Sequence, residues 1–115
     1  MWTNGGAPVF VDLDDAAWSW FAADIAFALR DFAPLARAPN TASEPVASFL
    51  AGYREIRDVE LDRLPVFAHA HALVTLARLQ RTLDEPVDPA WPEWAATLRS
   101  RVEGVAARLQ TAVAA

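Results

Sequence analysis

The sequence predicts a mainly α-helical protein with a short β-hairpin at its N-terminus. Apolar residues recur at spacings of three and four from about residue 21 onwards, which is typical of helices that bury one face. Before that point, the consecutive apolar residues Val9 to Val11 follow the turn-forming sequence Asn4-Gly5-Gly6. With 115 residues, of which 54% are hydrophobic, the chain has the size of a single folded domain with a modest core.

The predicted hairpin covers Met1 to Asp12. Its first strand ends at Thr3, Asn4 to Gly6 form the turn, and Pro8 to Asp12 form the second strand. Because Val9 to Val11 are apolar without alternation, this strand has the pattern of one covered on both faces. A chain of this size has little material to cover both, so we expect self-association through the exposed hairpin.

Four helices are predicted after the hairpin. The first runs from about Phe21 to Phe32, and its apolar stripe consists of Phe21, Ile25, Ala28, Leu29 and Phe32. Ser43 is a preferred N-cap residue and Pro45 suits a first helical turn, so a second helix is predicted to begin there. Its apolar residues are Val46, Phe49, Leu50 and Tyr53.

The third helix is predicted to begin near Asp58, to bend at Pro65 and to continue to about Leu83. Asp88 is the predicted cap of the last helix. That helix repeats apolar residues at spacings of three and four, namely Trp91, Trp94, Leu98, Val102, Val105, Leu109 and Val113.

Composition excludes several classes of function. There is no cysteine, which removes disulfides and thiolate metal sites, so we expect a cytoplasmic protein. All ten basic residues are arginine, and the net charge of -5 gives no electrostatic reason to bind nucleic acid or an anionic membrane. The longest nearly apolar stretch, residues 16 to 29, contains Asp24 and is too short to cross a bilayer.

The acids after the second strand are candidates for metal binding. Asp12 and Asp14 lie two residues apart at the strand's end, with Asp15 beside them. Mg²⁺ prefers a few carboxylates together with substrate phosphate oxygens, and a strand end holds such ligands rigidly. The alternative is that these acids only form a turn and cap the following helix.

Asp24 adds to the pattern because it falls among the apolar residues of the first predicted helix. A buried lone carboxylate is costly, so a buried Asp24 would need dedicated hydrogen-bond donors. The alternative is that Asp24 lies at the edge of the apolar stripe and reaches water.

Several short segments together carry a family resemblance. Phe10-Val-Asp-Leu-Asp-Asp-Ala16, followed by Trp20-Phe21 and Asp24-Ile25-Ala26, matches the pattern I-D-F-D-D-A…W-F…D-L-A. The segments Phe49 to Arg54, Glu60-Leu61 and Leu64-Pro65 are similar to the helical stretch that follows this pattern. In these features the chain resembles the aminoglycoside phosphotransferase and homoserine kinase-like family, and the likeness extends over nearly all of its length.

The resemblance implies a role for each acid. Asp12 corresponds to the metal-binding aspartate and Asp14 to a neighbouring acid that helps to hold a second metal. Asp24 corresponds to a helix aspartate that accepts hydrogen bonds from the backbone of the catalytic loop. Ser19 departs from the pattern, since relatives usually carry glycine there.

The resemblance also implies a fold, a cofactor and a reaction. The fold is the C-terminal part of a protein-kinase-like C-lobe, and the cofactor is Mg²⁺, bound with ATP in the complete enzyme. The reaction transfers the γ-phosphoryl group of ATP to a hydroxyl-bearing acceptor, either a small molecule or a protein serine or threonine.

Other parts of that machinery are missing from the sequence. Such an enzyme needs a lysine for the phosphates, an H-G-D aspartate as base and an asparagine for the metal. The chain has no lysine and no H-G-D, and its two asparagines, Asn4 and Asn40, fall in a predicted turn and loop. We therefore expect the C-terminal third of a phosphotransferase, begun at an internal methionine and inactive by itself.

A second interpretation is a non-enzymatic helical module that completes or regulates another chain.

His69 and His71 are two residues apart and point in different directions on one helix, so we expect them at the surface or core edge. If the chain belongs to a phosphotransferase, Glu55, Asp58 and Glu60 are further candidates for substrate contacts. Solvated helix faces are expected for Arg78, Arg81, Arg99, Arg101 and Arg108. Core packing is expected for Trp18, Trp20, Trp91 and Trp94, and the alternative is that these tryptophans line a substrate groove.

Overall fold

The computed structural model describes residues 2–5, 7–9 and 20–115. Within these ranges the protein is mainly α-helical, as the sequence predicts. Two three-residue strands, β1 at Trp2–Asn4 and β2 at Ala7–Val9, pair in antiparallel fashion. Gly5 in the turn between them has a φ of 60°, which glycine adopts without steric cost. The predicted continuation of the second strand to Asp12 lies outside the described residues.

Helix α1 spans Phe21–Ala28, and a separate 3₁₀ turn follows at Arg30–Phe32. The prediction of one continuous helix to Phe32 is therefore wrong. Ala33 is extended, with φ -119° and ψ 150°. This conformation is the one favoured immediately before a proline, and Pro34 follows. The proline thus limits how far the helical segment can run.

Helix α2 spans Glu44–Arg54, close to its predicted position, with Pro45 in the first turn. Ser43 occupies the N-cap position but its side chain makes no capping hydrogen bond to the helix. Its hydroxyl instead donates to the carbonyl oxygen of Asn40 at 2.8 Å. Ser43 therefore stabilises the preceding turn.

Helix α3 spans Leu64–Asp84, and a 3₁₀ turn at Leu61–Arg63 leads into it. The predicted start near Asp58 and the predicted bend at Pro65 are both wrong. Pro65 lies in the first turn, where its missing N–H costs nothing because that group has no partner within the helix. The proline begins this helix and does not bend it.

Helix α4 spans Glu93–Ala114 and has Pro92 at its N-cap position. The prediction that Asp88 caps this helix is wrong. The Asp88 carboxylate accepts a hydrogen bond from the Ala90 N–H at 2.8 Å, and the Asp88 carbonyl accepts one from the Trp91 N–H at 3.0 Å. Asp88 therefore orders a turn ahead of the helix.

The main core lies where α1, α2 and the start of α3 meet. Its most completely buried side chains are Ile25, Leu29, Val46, Leu50 and Leu64. The buried face of α1 also includes Ala22 and Ala26, whereas Phe21 and Ala28, which the predicted stripe places inside, are exposed. The buried face of α1 is therefore rotated about the helix axis relative to the predicted apolar stripe.

Helices α3 and α4 lie side by side, so that the start of α4 is next to the end of α3. The Arg99 guanidinium donates to the carbonyl oxygen of Leu83 at 2.6 Å and to that of Glu85 at 3.0 Å. Its side chain is only 21% exposed and also pairs with Glu103 at 3.4 Å. The expectation that Arg99 belongs to a solvated face is wrong, because the unpaired carbonyls at the end of α3 attract its donors.

Candidate functional site

The two predicted metal ligands, Asp12 and Asp14, lie outside the described residues, and their role stays a prediction. Carboxylate oxygens are the ligand type that Mg²⁺ prefers, so the chemistry of this pair suits the ion. Among the described residues, no three histidine, cysteine or acidic side chains are grouped closely enough to hold a metal ion.

Asp24 lies in the first turn of α1 and is exposed. Of the two alternatives left open by the sequence, the structure therefore has the one in which Asp24 reaches water. Its N–H bonds to the Trp20 carbonyl at 3.1 Å, so the residue is fixed by the helix backbone. A carboxylate in the first turn is favoured by the positive end of the helix dipole.

The residues beside the start of α1 form a cavity of about 220 Å³, here called the Trp20 cavity. Trp20 itself is 68% exposed, so it does not serve the core as predicted. Its indole lies 6.4 Å from the ring of Phe67 on α3, measured between ring centroids. The remaining lining residues are Phe21, Ala22, Ile25, Arg57, Asp58, Val59, Glu60 and Arg63.

Charged groups surround this cavity on one side. The Arg57 guanidinium lies 3.9 Å from the centroid of the Phe21 ring, a cation–π contact. Arg63 pairs with Glu60 at 2.6 Å, and the Asp58 carboxylate accepts a hydrogen bond from the Val59 N–H at 2.9 Å. The structure thus brings two of the three suggested substrate-contact acids to one cavity, while Glu55 is not among its lining residues.

The two histidines of α3 differ in environment, as expected from their spacing. His69 is exposed, whereas His71 is half-buried and meets the Phe27 ring edge-on at a centroid distance of 5.0 Å. Burial, and then the positive charges of Arg30 and Arg78, lower the pKa of His71 from its ordinary value. Protonating the His71 imidazole is therefore harder than protonating a free histidine side chain.

An apolar groove of about 390 Å³, here called the Trp94 groove, lies where α3 ends and α4 begins. Trp94 and Leu98 are 68% and 52% exposed, so the core packing predicted for this tryptophan is wrong. Leu83, Trp91 and Val102 also line the groove. Leaving large side chains exposed together is unusual for a protein surface that has no partner.

Comparisons with known proteins add no family assignment. No protein-family model matches the chain, and neither a curated protein nor a solved structure matches it. Separately, the helices in the described part of the chain include none that is long and apolar enough to cross a membrane.

Sequence reasoning missed the contacts that depend on how helices approach one another. The basic surroundings of His71 come from α3 and from the turn after α1, which are far apart in sequence. For the Trp94 groove a signal was present: residues 82–98 combine two tryptophans with four acids and no basic residue. That pattern is typical of an exposed surface as much as of a core.

Proposed function

We propose that this chain is the C-terminal helical part of an ATP-dependent phosphotransferase of kinase-like fold. The complete enzyme transfers the γ-phosphoryl group of ATP to a hydroxyl on a small molecule or on a protein serine or threonine. The N-terminal hairpin and the four helices correspond in this proposal to the end of the kinase C-lobe. The acids of residues 12–15, which precede the first helix, carry the proposal together with the motif around Asp24.

The family resemblance supplies the proposed roles. Asp12 binds Mg²⁺ in this proposal and Asp14 helps to hold a second metal. When bound, Mg²⁺ offsets negative charge that develops on the transferred phosphoryl group. Asp24, exposed at the first turn of α1, is accessible to backbone donors from a catalytic loop that these 115 residues do not encode.

The Trp20 cavity supports the same proposal from the described residues. Its first lining residue, Trp20, follows Asp15 by five positions in the sequence, and the cavity combines this exposed indole with Asp58 and Glu60. Acids beside an aromatic wall suit an acceptor that carries hydroxyl or amino groups, because carboxylates accept hydrogen bonds from both. The acceptor is therefore proposed to bind next to α1.

The first test is the coding sequence upstream of Met1, followed by an assay. The proposal expects an in-frame H-G-D segment and a glycine-rich lobe, and it expects the longer protein to transfer phosphate with Asp12 essential. The 115-residue chain should show no ATP turnover, because the lysine and the general base are lacking. If this chain alone shows Mg²⁺-dependent turnover that disappears in Asp12→Ala, the proposal that it needs the rest of the enzyme for catalysis is contradicted.

A second function is favoured by the Trp94 groove: a helical module that docks another polypeptide. The groove is mostly apolar: Glu85 lines it, and Asp84, Asp88 and Glu93 lie close to its lining residues in sequence. The positive charge in its lining, Arg99, already pairs with Glu103. We propose as occupant an amphipathic segment of another protein with lysine or arginine residues flanking its apolar face. Charge complementarity of this kind selects partners and speeds association.

Two labelled peptides with the same apolar face test this second function. The peptide with basic flanks should bind, and the one with acidic flanks should not. Trp94→Ala should weaken binding, whereas Trp20→Ala, an equally exposed tryptophan elsewhere, should not. Equal binding of the two peptides would contradict the docking proposal.

Self-association through the N-terminal hairpin is a separate prediction, which sedimentation velocity tests.

A further inference from the structure

A second cavity, here called the His71 cavity, lies between α1, α3, α4 and the turn Pro34 to Arg37. Its volume is about 230 Å³. Most of its lining is small or apolar, consisting of Ala26, Ala33, Pro34, Leu35, Ala36, Ala68, Ala72, Val105 and Leu109. This floor offers room for a compact apolar group, and the volume is below the range of typical drug-sized sites.

The polar groups of this cavity are predominantly hydrogen-bond donors and cations. Arg30, Arg37, His71 and Thr75 all line it, and Asp31 is the acid among its lining residues. Arg78 lies outside the lining but close enough for its charge to act on His71. The chain as a whole is acidic, with a net charge of -5. With two arginines and one acid among its lining residues, this cavity is basic in a chain that is acidic as a whole, whereas the two arginines of the Trp20 cavity are matched by two acids.

Arg30 is held in place before any ligand arrives. It donates a hydrogen bond to the Phe27 carbonyl oxygen at 3.0 Å, and its guanidinium lies 4.2 Å from the centroid of the Phe27 ring. It also pairs with Asp31 at 3.7 Å, a distance at which an exposed pair contributes little. The guanidinium keeps further donors for a ligand, and its fixed position lowers the entropy cost of binding.

The turn that carries Arg37 has an unusual backbone. The Arg37 N–H bonds to the Pro34 carbonyl at 3.1 Å, which closes a four-residue turn. Ala36 at its third position has a φ of 61°, a left-handed conformation that usually requires glycine. Such conformations are costly for alanine and cluster at binding sites. The turn places Arg37 among the residues that line the cavity.

We propose that the His71 cavity binds a small organic anion, with its oxyanion between Arg30, Arg37 and His71 and its apolar body on the alanine floor. The oxyanion is a carboxylate or a phosphate monoester, since arginine forks bind both. This site is separate from the Trp20 cavity and from the acids at positions 12–15, so it does not depend on the proposed phosphotransferase function. Nor does it require the docking of another polypeptide.

NMR titration at constant ionic strength tests the proposal with the intact chain. Inorganic phosphate, phenyl phosphate and butyrate serve as anionic probes, and neutral butyramide is the control for charge. The imidazole signals of His71 should move and saturate with an anionic probe, whereas those of exposed His69 should not. An anion beside His71 also favours its protonated form, so bound anion should raise the pKa of His71.

Arg37→Gln is the test variant, because Arg37 is exposed and its loss leaves the core intact. Losing one charge-assisted hydrogen bond should weaken anion binding by about tenfold. Arg54→Gln, an exposed arginine at the end of α2, is the matched control and should bind as the wild type does. Circular dichroism checks that both variants are folded.

The three anionic probes separate the sources of the oxyanion. Saturation by phenyl phosphate with weaker binding of butyrate identifies a phosphate monoester, and the reverse order identifies a carboxylate. The proposal is overturned if butyramide moves the His71 signals as far as butyrate does. It is also overturned if no anionic probe saturates, or if Arg37→Gln and Arg54→Gln bind equally well.

Discussion

Arg99 on α4 donates a hydrogen bond of 2.6 Å to the carbonyl oxygen of Leu83 in the last turn of α3. A helix end leaves its last carbonyls without partners, and a guanidinium there satisfies them and complements the helix dipole. The two longest helices of the protein are therefore joined at one end by a side chain from the second.

Arg99→Gln should destabilise the protein by about 1–2 kcal/mol, because charge-assisted hydrogen bonds to α3 are lost from a largely buried position. Arg101→Gln is the control, since Arg101 lies on the same helix but is exposed, and it should change stability by no more than about 0.5 kcal/mol. Urea denaturation measures both. Equal effects would show that the α3 end does not need Arg99.

His71→Gln should reduce the acid sensitivity of the protein. Because burial and nearby arginines lower the folded pKa of His71, the unfolded state binds its proton more readily. The stability that neutral His71 contributes is therefore present above its unfolded pKa, and it is lost as pH falls below about 6.5 towards the folded pKa. Urea melts at pH 7.5 and 5.0 measure the difference.

In that experiment His69→Gln is the matched control, since His69 is exposed on the same helix. The fall in stability between the two pH values should be smaller in His71→Gln than in wild type and than in His69→Gln. An unchanged fall in His71→Gln would show that His71 is protonated as easily in the folded protein as in the unfolded one.

Ala36→Gly should leave stability unchanged or raise it by up to about 1.6 kcal/mol. Glycine relieves the left-handed strain, which costs alanine about 1–2 kcal/mol, but it gives the unfolded chain more freedom, which offsets about 0.4–1 kcal/mol. Ala47→Gly, at an exposed position within α2, should destabilise by about 0.5–1 kcal/mol. A clear loss of stability in Ala36→Gly would contradict the positive φ at Ala36.

Asp24→Asn should cost less than about 1 kcal/mol, because the carboxylate is exposed and contributes through the helix dipole. Ile25→Ala, next to it but 1% exposed, should cost about 2–5 kcal/mol. Thermal or urea melts compare the two. A loss of several kcal/mol in Asp24→Asn would mean that Asp24 is engaged within this chain and is not accessible to a catalytic loop.

The helices were predictable because apolar spacing and proline positions act locally. Pro45 marks the start of α2 correctly, since its fixed φ suits a first turn. Pro65 follows the same rule, but because the helix start was predicted near Asp58, this proline was interpreted as a bend. In α1 the stripe was misphased, since alanine gives a weak periodic signal and the bulkier Phe21 was assumed to be buried.

The cavities were not predictable, because they depend on how distant segments meet. The charge of Arg30, which lies 41 positions earlier in the chain, lowers the pKa of His71. Arg99 on α4 donates hydrogen bonds to carbonyl oxygens at the end of α3. Neither contact produces a periodic pattern in the sequence from which it could be predicted. The acidic motif is the opposite case: its chemistry follows from residue types and spacing, and its geometry lies outside the described residues.

The central claim is that the acids after β2 form a Mg²⁺ site, and metal titration of the isotope-labelled chain tests it most directly. Mn²⁺, a paramagnetic substitute for Mg²⁺, should broaden the amide signals of residues 12–15 first. Without substrate phosphates the affinity should be no better than roughly millimolar. The broadening should be lost in Asp12→Asn and kept in Asp84→Asn, an exposed acid at the end of α3. Broadening that is unchanged in Asp12→Asn, or that begins elsewhere in the chain, would contradict the claim.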